Sequence, residues 1–141
     1  MDRRRIPSIP RSGPHKGEFA TKWEGFRKAL RKGYWNIGNL REWKPRPIGY
    51  KKGGFRGVEN VDDCCGVYVF LNKDKYVLYV GKSAGTLAKR IKKSFTEQPP
   101  SKRGYIRYVT AHRVTNAVET SKMEAELLWY YTPPWNTRFT H

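Results

Sequence analysis

A carboxylate on the apolar side of a helix, an arginine, a lysine at a strand end and two tyrosines could together do chemistry in this chain. The carboxylate is Glu124. A helical pattern opens at Asn116, with Glu119 three residues on in a capping-box-like arrangement, and stops at Thr132-Pro133-Pro134. Placed at about 100° per residue, Glu119, Lys122 and Glu126 fall within roughly 60° of one another, the expected solvated face. Glu124 falls nearly opposite, between Ala117, Leu128 and Tyr131. A carboxylate there is costly unless something compensates it. A metal ion, a cation or an internal salt bridge with an arginine would each do so, and spacing alone does not separate them. Arg90 lies on the preceding helical segment with Lys89, Lys92 and Lys93, while Tyr68, Tyr79 and Lys82 lie on two short apolar runs. Cations that stabilise developing negative charge, and a metal ion to neutralise more of it, are what phosphodiester hydrolysis needs.

The elements that must position these groups can be read from pattern. VYVFL and YVLYV are rich in β-branched and aromatic residues, and the NKDK between them is a turn cluster. This predicts a β-hairpin whose second strand ends at Gly81. A helix follows with Leu87, Ile91 and Phe95 on its inner side. QPPSKRG breaks the chain, YIRYVTAHRV alternates as a third strand, and the helix bearing Glu124 comes last. The expected fold is α+β, a three-stranded antiparallel sheet flanked by helices, behind a basic N-terminal extension. In that extension Phe19, Trp23, Phe26 and Leu30 recur at helical spacing. They predict an amphipathic helix from Glu18 to Gly33, docked by its apolar face, with Arg27 and Lys28 on its basic side as candidate phosphate contacts. Residues 33–57 have no clear period. Trp35, Trp43, Tyr50 and Phe55 alternate there with Arg41, Lys44, Arg46, Lys51, Lys52 and Arg56. That composition suits nucleic-acid contact, and equally a loop-rich layer packed on a domain. KKGG at 51–54 reads as a mobile loop.

The 141 residues include 29 Lys and Arg against 12 Asp and Glu, a formal net charge of +17. The excess is even: 16 basic and 7 acidic residues precede Gly66, and 13 and 5 follow. With 14% aromatics, this points to a polyanion, most simply nucleic acid. No apolar run approaches the roughly 20 residues of a membrane span, and no apolar h-region suggests a secretory signal. Cys64 and Cys65 are adjacent, a poor geometry for bridging each other. Buried thiols in a reducing, cytoplasmic compartment are expected. His15, His112 and His141 have no metal spacing with another ligand, and GKS at 81–83 lacks the upstream glycine of a P-loop.

Taken together, the residues resemble the GIY-YIG nucleases. Gly66-Val67-Tyr68 matches the first half of the signature and Tyr79-Val80-Gly81 the second, with ten residues between the tyrosines. Lys82 follows, as in the nucleotide-excision repair members. TLAKRI at 86–91 is similar to the family's helix and makes Arg90 its catalytic arginine. MEAELLWYYTPPWN resembles the helix with the metal-binding glutamate, here Glu124, and a closing asparagine, here Asn136. The ending PPWN is similar to that of a small phage endonuclease of the family. One departure is Ser94, where several members carry His or Tyr. The resemblance covers about residues 64–137. It implies a DNA endonuclease of restriction, phage or mobile-element type, or else a structure-specific repair nuclease. A catalytically silent binding module is the remaining alternative. It also implies magnesium or manganese on Glu124, charge stabilisation by Arg90, and Tyr68 as base, assisted by Tyr79 and Lys82. Lys89, Lys92, Lys93, Arg27, Lys28, Lys51, Lys52, Arg56 and Asn136 are the expected DNA contacts. The expected division is a flexible basic arm (1–16), an aromatic-rich extension (17–60) and a nuclease domain (61–141). One site cuts one strand, so a double-strand break in duplex DNA would call for a homodimer.

Overall fold

The structure is a computed structural model and describes residues 20–29 and 44–136. In chain order the elements are α1 (Phe26–Ala29), β1 (Arg46–Pro47), β2 (Gly49–Lys51), β3 (Gly54–Arg56), β4 (Cys65–Leu71) and β5 (Val77–Ala84). They continue with α2 (Leu87–Glu97), α3 (Pro100–Arg103), β6 (Tyr108–Arg113) and α4 (Ala117–Tyr131). The hairpin read from the sequence is β4–β5, and β6 pairs with the other side of β4, all antiparallel. The sheet order is β1-β6-β4-β5, so the two-residue β1 adds a fourth strand to the expected three.

Successive residues of a strand point to opposite faces, and here both faces of β4 are covered. Val67, Val69 and Leu71 pack with Val80 against Met123, Leu127, Leu128 and Tyr131 of α4 and Phe26 and Ala29 of α1. Tyr68 and Phe70 pack against Leu87, Ile91 and Phe95 of α2. Each such side chain removed from water contributes on the order of 1.5–3 kcal/mol. That is why a continuous apolar run, and not an alternating one, marks the central strand. The inner positions expected for α2 and the Asn116 cap both hold: Asn116 accepts from Glu119 N at 2.9 Å.

Several expectations give way. β5 runs past Gly81 to Ala84, because Ser83 and Cys65 still find partners across the ladder. QPPSKRG contains the short helix α3. The amphipathic helix does not start at Glu18. Residues 20–25 are non-helical, and Trp23 precedes the helix. This segment instead lies along the turn end of β4–β5, where Trp23 N donates to Lys75 O and Val77 N to Thr21 O, each at 2.7 Å. Gly25, at φ 99°, then turns the chain into α1. An unpaired strand edge offers backbone groups that outcompete one helical turn. KKGG is the turn of the β2–β3 hairpin and not a loose loop, with Lys51 paired to Gly54. Cys64 and Cys65 are half-buried, not buried. Glu126 is only 6% exposed, so it does not belong to a solvated face. α4 packs against α1 as well as the sheet, which widens its buried arc. The arm expected over 1–16, together with Phe19, Leu30, Trp35, Arg41, Trp43 and His141, lies outside the described residues. Among the described residues no helix is long and apolar enough to cross a membrane.

Candidate active site

Tyr68 and Tyr79 share the α2 face of the sheet. Tyr68 is opposite Gly81 and Tyr79 is opposite Phe70, which sets their ring centroids 6.3 Å apart. Tyr68 reaches across its partner. A Cβ added at Gly81 would meet Tyr68 Cζ at 2.3 Å and its hydroxyl oxygen at 2.4 Å. The second glycine of the signature is therefore the space through which the phenol reaches the edge strand. Gly66 has a different reason, since a Cβ there would meet His112 O at 2.2 Å and Leu87 Cδ2 at 2.7 Å. It lets β6 and the start of α2 close on β4.

The Tyr68 hydroxyl is hydrogen-bonded to Ser94 and Arg90, both on α2. Ser94, the departure noted in the sequence, is buried and orients the phenol. Burial pushes the phenol up to about 12, with Ser94 pulling it down, Tyr79 adding to the rise and Arg90 opposing it. Arg90, the cation beside the ring, does not prevail over desolvation. Ser83 and Thr86 set where α2 begins, and hence where Arg90 and Ser94 fall: Ser83 Oγ accepts from Thr86 N at 2.9 Å.

Glu124 and Lys82 form a second group on the α4 face. Val67, which packs with α4, stands opposite Lys82 in the ladder. Lys82 Nζ lies 3.5 Å from Glu124 Oε1 and donates to Ser121 Oγ at 3.0 Å. The glutamate is nearly enclosed while the lysine stays open to solvent, with side-chain exposures of 7% and 43%. Burial raises the Glu124 pKa, and Lys82 only partly opposes this. Ser121, one turn before Glu124, was missed from the sequence; its i, i+3 spacing puts it on the same helix face. The two groups meet at consecutive residues: the Tyr68 hydroxyl lies over Gly81, and Lys82 is next in the chain.

Asn136, expected at a nucleic-acid contact, is buried, and its carboxamide pairs both ways with the backbone of Val80: Oδ1 accepts from Val80 N and Nδ2 donates to Val80 O, each at 2.8 Å. It caps the β5 edge. Lys28, Lys51, Lys52, Arg56, Lys89, Lys92 and Lys93 are exposed. Lys89 is paired with Asp63, at 3.8 Å. The Arg27 side chain lies outside what the structure describes. Among the described residues, no group of three or more His, Cys, Asp or Glu could hold a metal ion. Glu124 alone still suits magnesium. That ion is commonly held by one or two carboxylates plus substrate phosphates and water, and this carboxylate is nearly enclosed, with Lys82 beside it.

An antiparallel hairpin carrying the two tyrosines, a helix carrying Arg90 and a last helix carrying Glu124 define a GIY-YIG nuclease domain. Residues 64–137 match the UvrC-like GIY-YIG domain, and the chain belongs to that family. It is similar to UvrABC system protein C of Methanothermobacter thermautotrophicus, 37% identical over 84 residues. That match spans 57% of this chain but only 14% of the relative. No solved structure matches.

Proposed function

We propose that this domain is a divalent-metal-dependent DNA endonuclease that hydrolyses phosphodiester bonds. The observation that carries the reading is the juxtaposition at Gly81–Lys82. A phenol held by Ser94 and Arg90 reaches one side of the edge strand, and an enclosed carboxylate paired with Lys82 stands on the other. A phosphodiester laid along that edge faces both. Glu124 is the residue that would hold Mg²⁺ or Mn²⁺, whose chemistry there is Lewis-acid polarisation of the phosphate. The exposed Arg90 offers fixed donors to the charge that develops on the phosphoryl oxygens. Lys82 partly opposes the effect of burial on Glu124 and brings a second cation to the edge. Burial keeps Tyr68 a neutral phenol at neutral pH in the free protein, and taking a proton from an attacking water needs more positive charge beside the ring than Arg90 alone provides. Tyr79, half-buried beside Tyr68, packs on Phe70 and keeps the phenol in place.

The similarity to UvrABC system protein C favours structure-specific incision in repair over a restriction, phage or mobile-element role. Plasmid nicking with magnesium, comparing the parent with Glu124→Ala, tests the enzyme reading. The variant is expected to lose roughly 10²-fold or more, the scale of removing one preorganised charge-stabilising group. Equal nicking by both chains would remove Glu124 from the mechanism. Inertness of both on every DNA tried would favour a silent binding module. Cut ends mapped on branched DNA and on a random-sequence duplex library separate the two settings: cleavage at junctions whatever the sequence is the repair outcome.

A further inference from the structure

The β2–β3 hairpin takes no part in the site at Gly81–Lys82, yet it is built onto the helix that carries Arg90. Tyr50 and Phe55 stand directly opposite each other, with ring centroids 5.1 Å apart at 70°. Both rings lie against Phe95 of α2, at 6.4 and 5.6 Å. A two-stranded hairpin is marginal by itself, so these rings are what anchor it. Tyr50 nevertheless remains 61% exposed. Among the described residues, Val118 is the other exposed large hydrophobic. Lys92 Nζ sits 5.8 Å from the Phe55 ring centroid, and Lys51, Lys52 and Arg56 are exposed on the hairpin. The turn stands clear of the body, since a Cβ at Gly53 or Gly54 would meet nothing within 4 Å. An open aromatic ring, fixed at its base and surrounded by cations, has the chemistry of a base-stacking platform. Its place on α2 brings it near the site: Phe95 follows Arg90 by five residues, about 7.5 Å along the helix axis.

We propose that Tyr50 stacks on an unpaired base near the scissile phosphate, with Lys92 meeting that nucleotide's phosphate. The substrate class is DNA with a single-stranded stretch, such as a flap, fork or bubble. Bases inside a duplex have no free face to offer this ring. The proposal rests on the nuclease reading and deepens it.

The test uses the full chain carrying Glu124→Gln, which limits cleavage. The ligand is a forked oligonucleotide with 2-aminopurine in its unpaired arm, set against a fully paired duplex. Tyr50→Ala is expected to weaken binding to the fork roughly five- to a hundredfold and to remove the change in 2-aminopurine fluorescence. Tyr50→Phe and Tyr50→Trp are expected to keep both. Lys92→Ala is expected to lower the salt slope by about one. Equal losses on fork and duplex, no loss on either, or failure of Tyr50→Trp to bind would overturn the proposal. Nicking of plasmid by the parent is scored separately. A chain that nicks but shows no Tyr50 effect refutes the platform and leaves the nuclease standing. A chain that binds no DNA at all removes both.

Discussion

Gly81→Ala tests the geometry of the site most directly. The added Cβ would lie 2.3 Å from Tyr68 Cζ and 2.8 Å from Cε1. Carbon atoms at rest stand about 3.5–4.0 Å apart, so the phenol must retreat by more than ~1 Å. It has little room to do so. Tyr68 is fully buried, with the rings of Phe70 and Tyr79 at 5.3 and 6.3 Å and its hydroxyl held by Ser94 and Arg90. Forcing extra volume into such a site costs about 1–3 kcal/mol. Opposing this, alanine stiffens the unfolded chain by about 0.4–1 kcal/mol, a gain available because Gly81 has no positive φ. The steric effect wins, leaving a net loss of about 1–2 kcal/mol. Activity is expected to fall further, by roughly 10²-fold, because a displacement of about 1 Å at the reacting groups has that effect. Urea denaturation gives the first quantity and plasmid nicking the second. The control is a double-mutant cycle with Tyr68→Leu, which removes the atoms the new methyl meets. In that background Gly81→Ala is expected to cost under about 0.5 kcal/mol. An equal cost in both backgrounds would refute the reasoning, because the clash would not then be with the phenol.

Burial raises the Glu124 pKa, so the folded protein holds that proton more tightly than the unfolded chain, and stability falls as pH rises from the unfolded value through the raised one. Glu124→Gln is therefore expected to be more stable than the parent at about pH 7 and to lose that margin near about pH 4, read by urea denaturation; a margin independent of pH would contradict it. His112 behaves in the opposite sense. Burial lowers its pKa from 6.5 to about 2, so the stability of the neutral ring is lost as pH falls below the unfolded value. The slope from this residue is at most about 1.4 kcal/mol per pH unit, and His112→Leu is expected to flatten the acid limb of the thermal-melt profile. Asn136→Ala breaks both bonds to the Val80 backbone and is expected to cost about 1–3 kcal/mol. Asn136→Asp keeps the acceptor and should recover part of it, whereas full stability of Asn136→Ala would remove the edge-cap role.

The elements around the site were legible because their signals are local. Two β-branched runs about a turn cluster became β4 and β5, and the Asn116 cap and the left-handed Thr132 bound α4 as its sequence indicates. Glu124 was legible for the same reason, since helical period alone places it inward. What failed was what depends on distant partners. Trp23 sits at helical spacing from Phe26 but stacks on Tyr131 at 5.5 Å, outside any helix, because the hairpin end offered its segment a backbone partner. Glu126 was assigned to solvent by the same wheel that placed Glu124 correctly, because a wheel counts one packing surface and α4 has two. Tyr50 and Phe55 gave no period because each hairpin strand is three residues long, and their order comes from Phe95, forty residues or more away.

The pairing of functional groups across the sheet has its own logic. Tyr68 and Lys82 come from opposite faces, and in an ordinary ladder the backbone between them would keep their chemistry apart. Two features bring them to one place. Gly81 removes the side chain that would stand between the phenol and the edge. The chain after α4 then closes the β5 edge beside it, with Trp135 N on Leu78 O at 3.1 Å and Asn136 on Val80. Among the described residues these bonds stop at Val80, and Lys82, two residues on, is exposed. On the proposed reading, a linear anion along the strand would have the Arg90 guanidinium and the phenol on one flank and the Lys82 ammonium and the Glu124 carboxylate on the other. The glycine and the asparagine would then do no chemistry themselves; they would decide whether groups on two faces of a sheet can act on one phosphate.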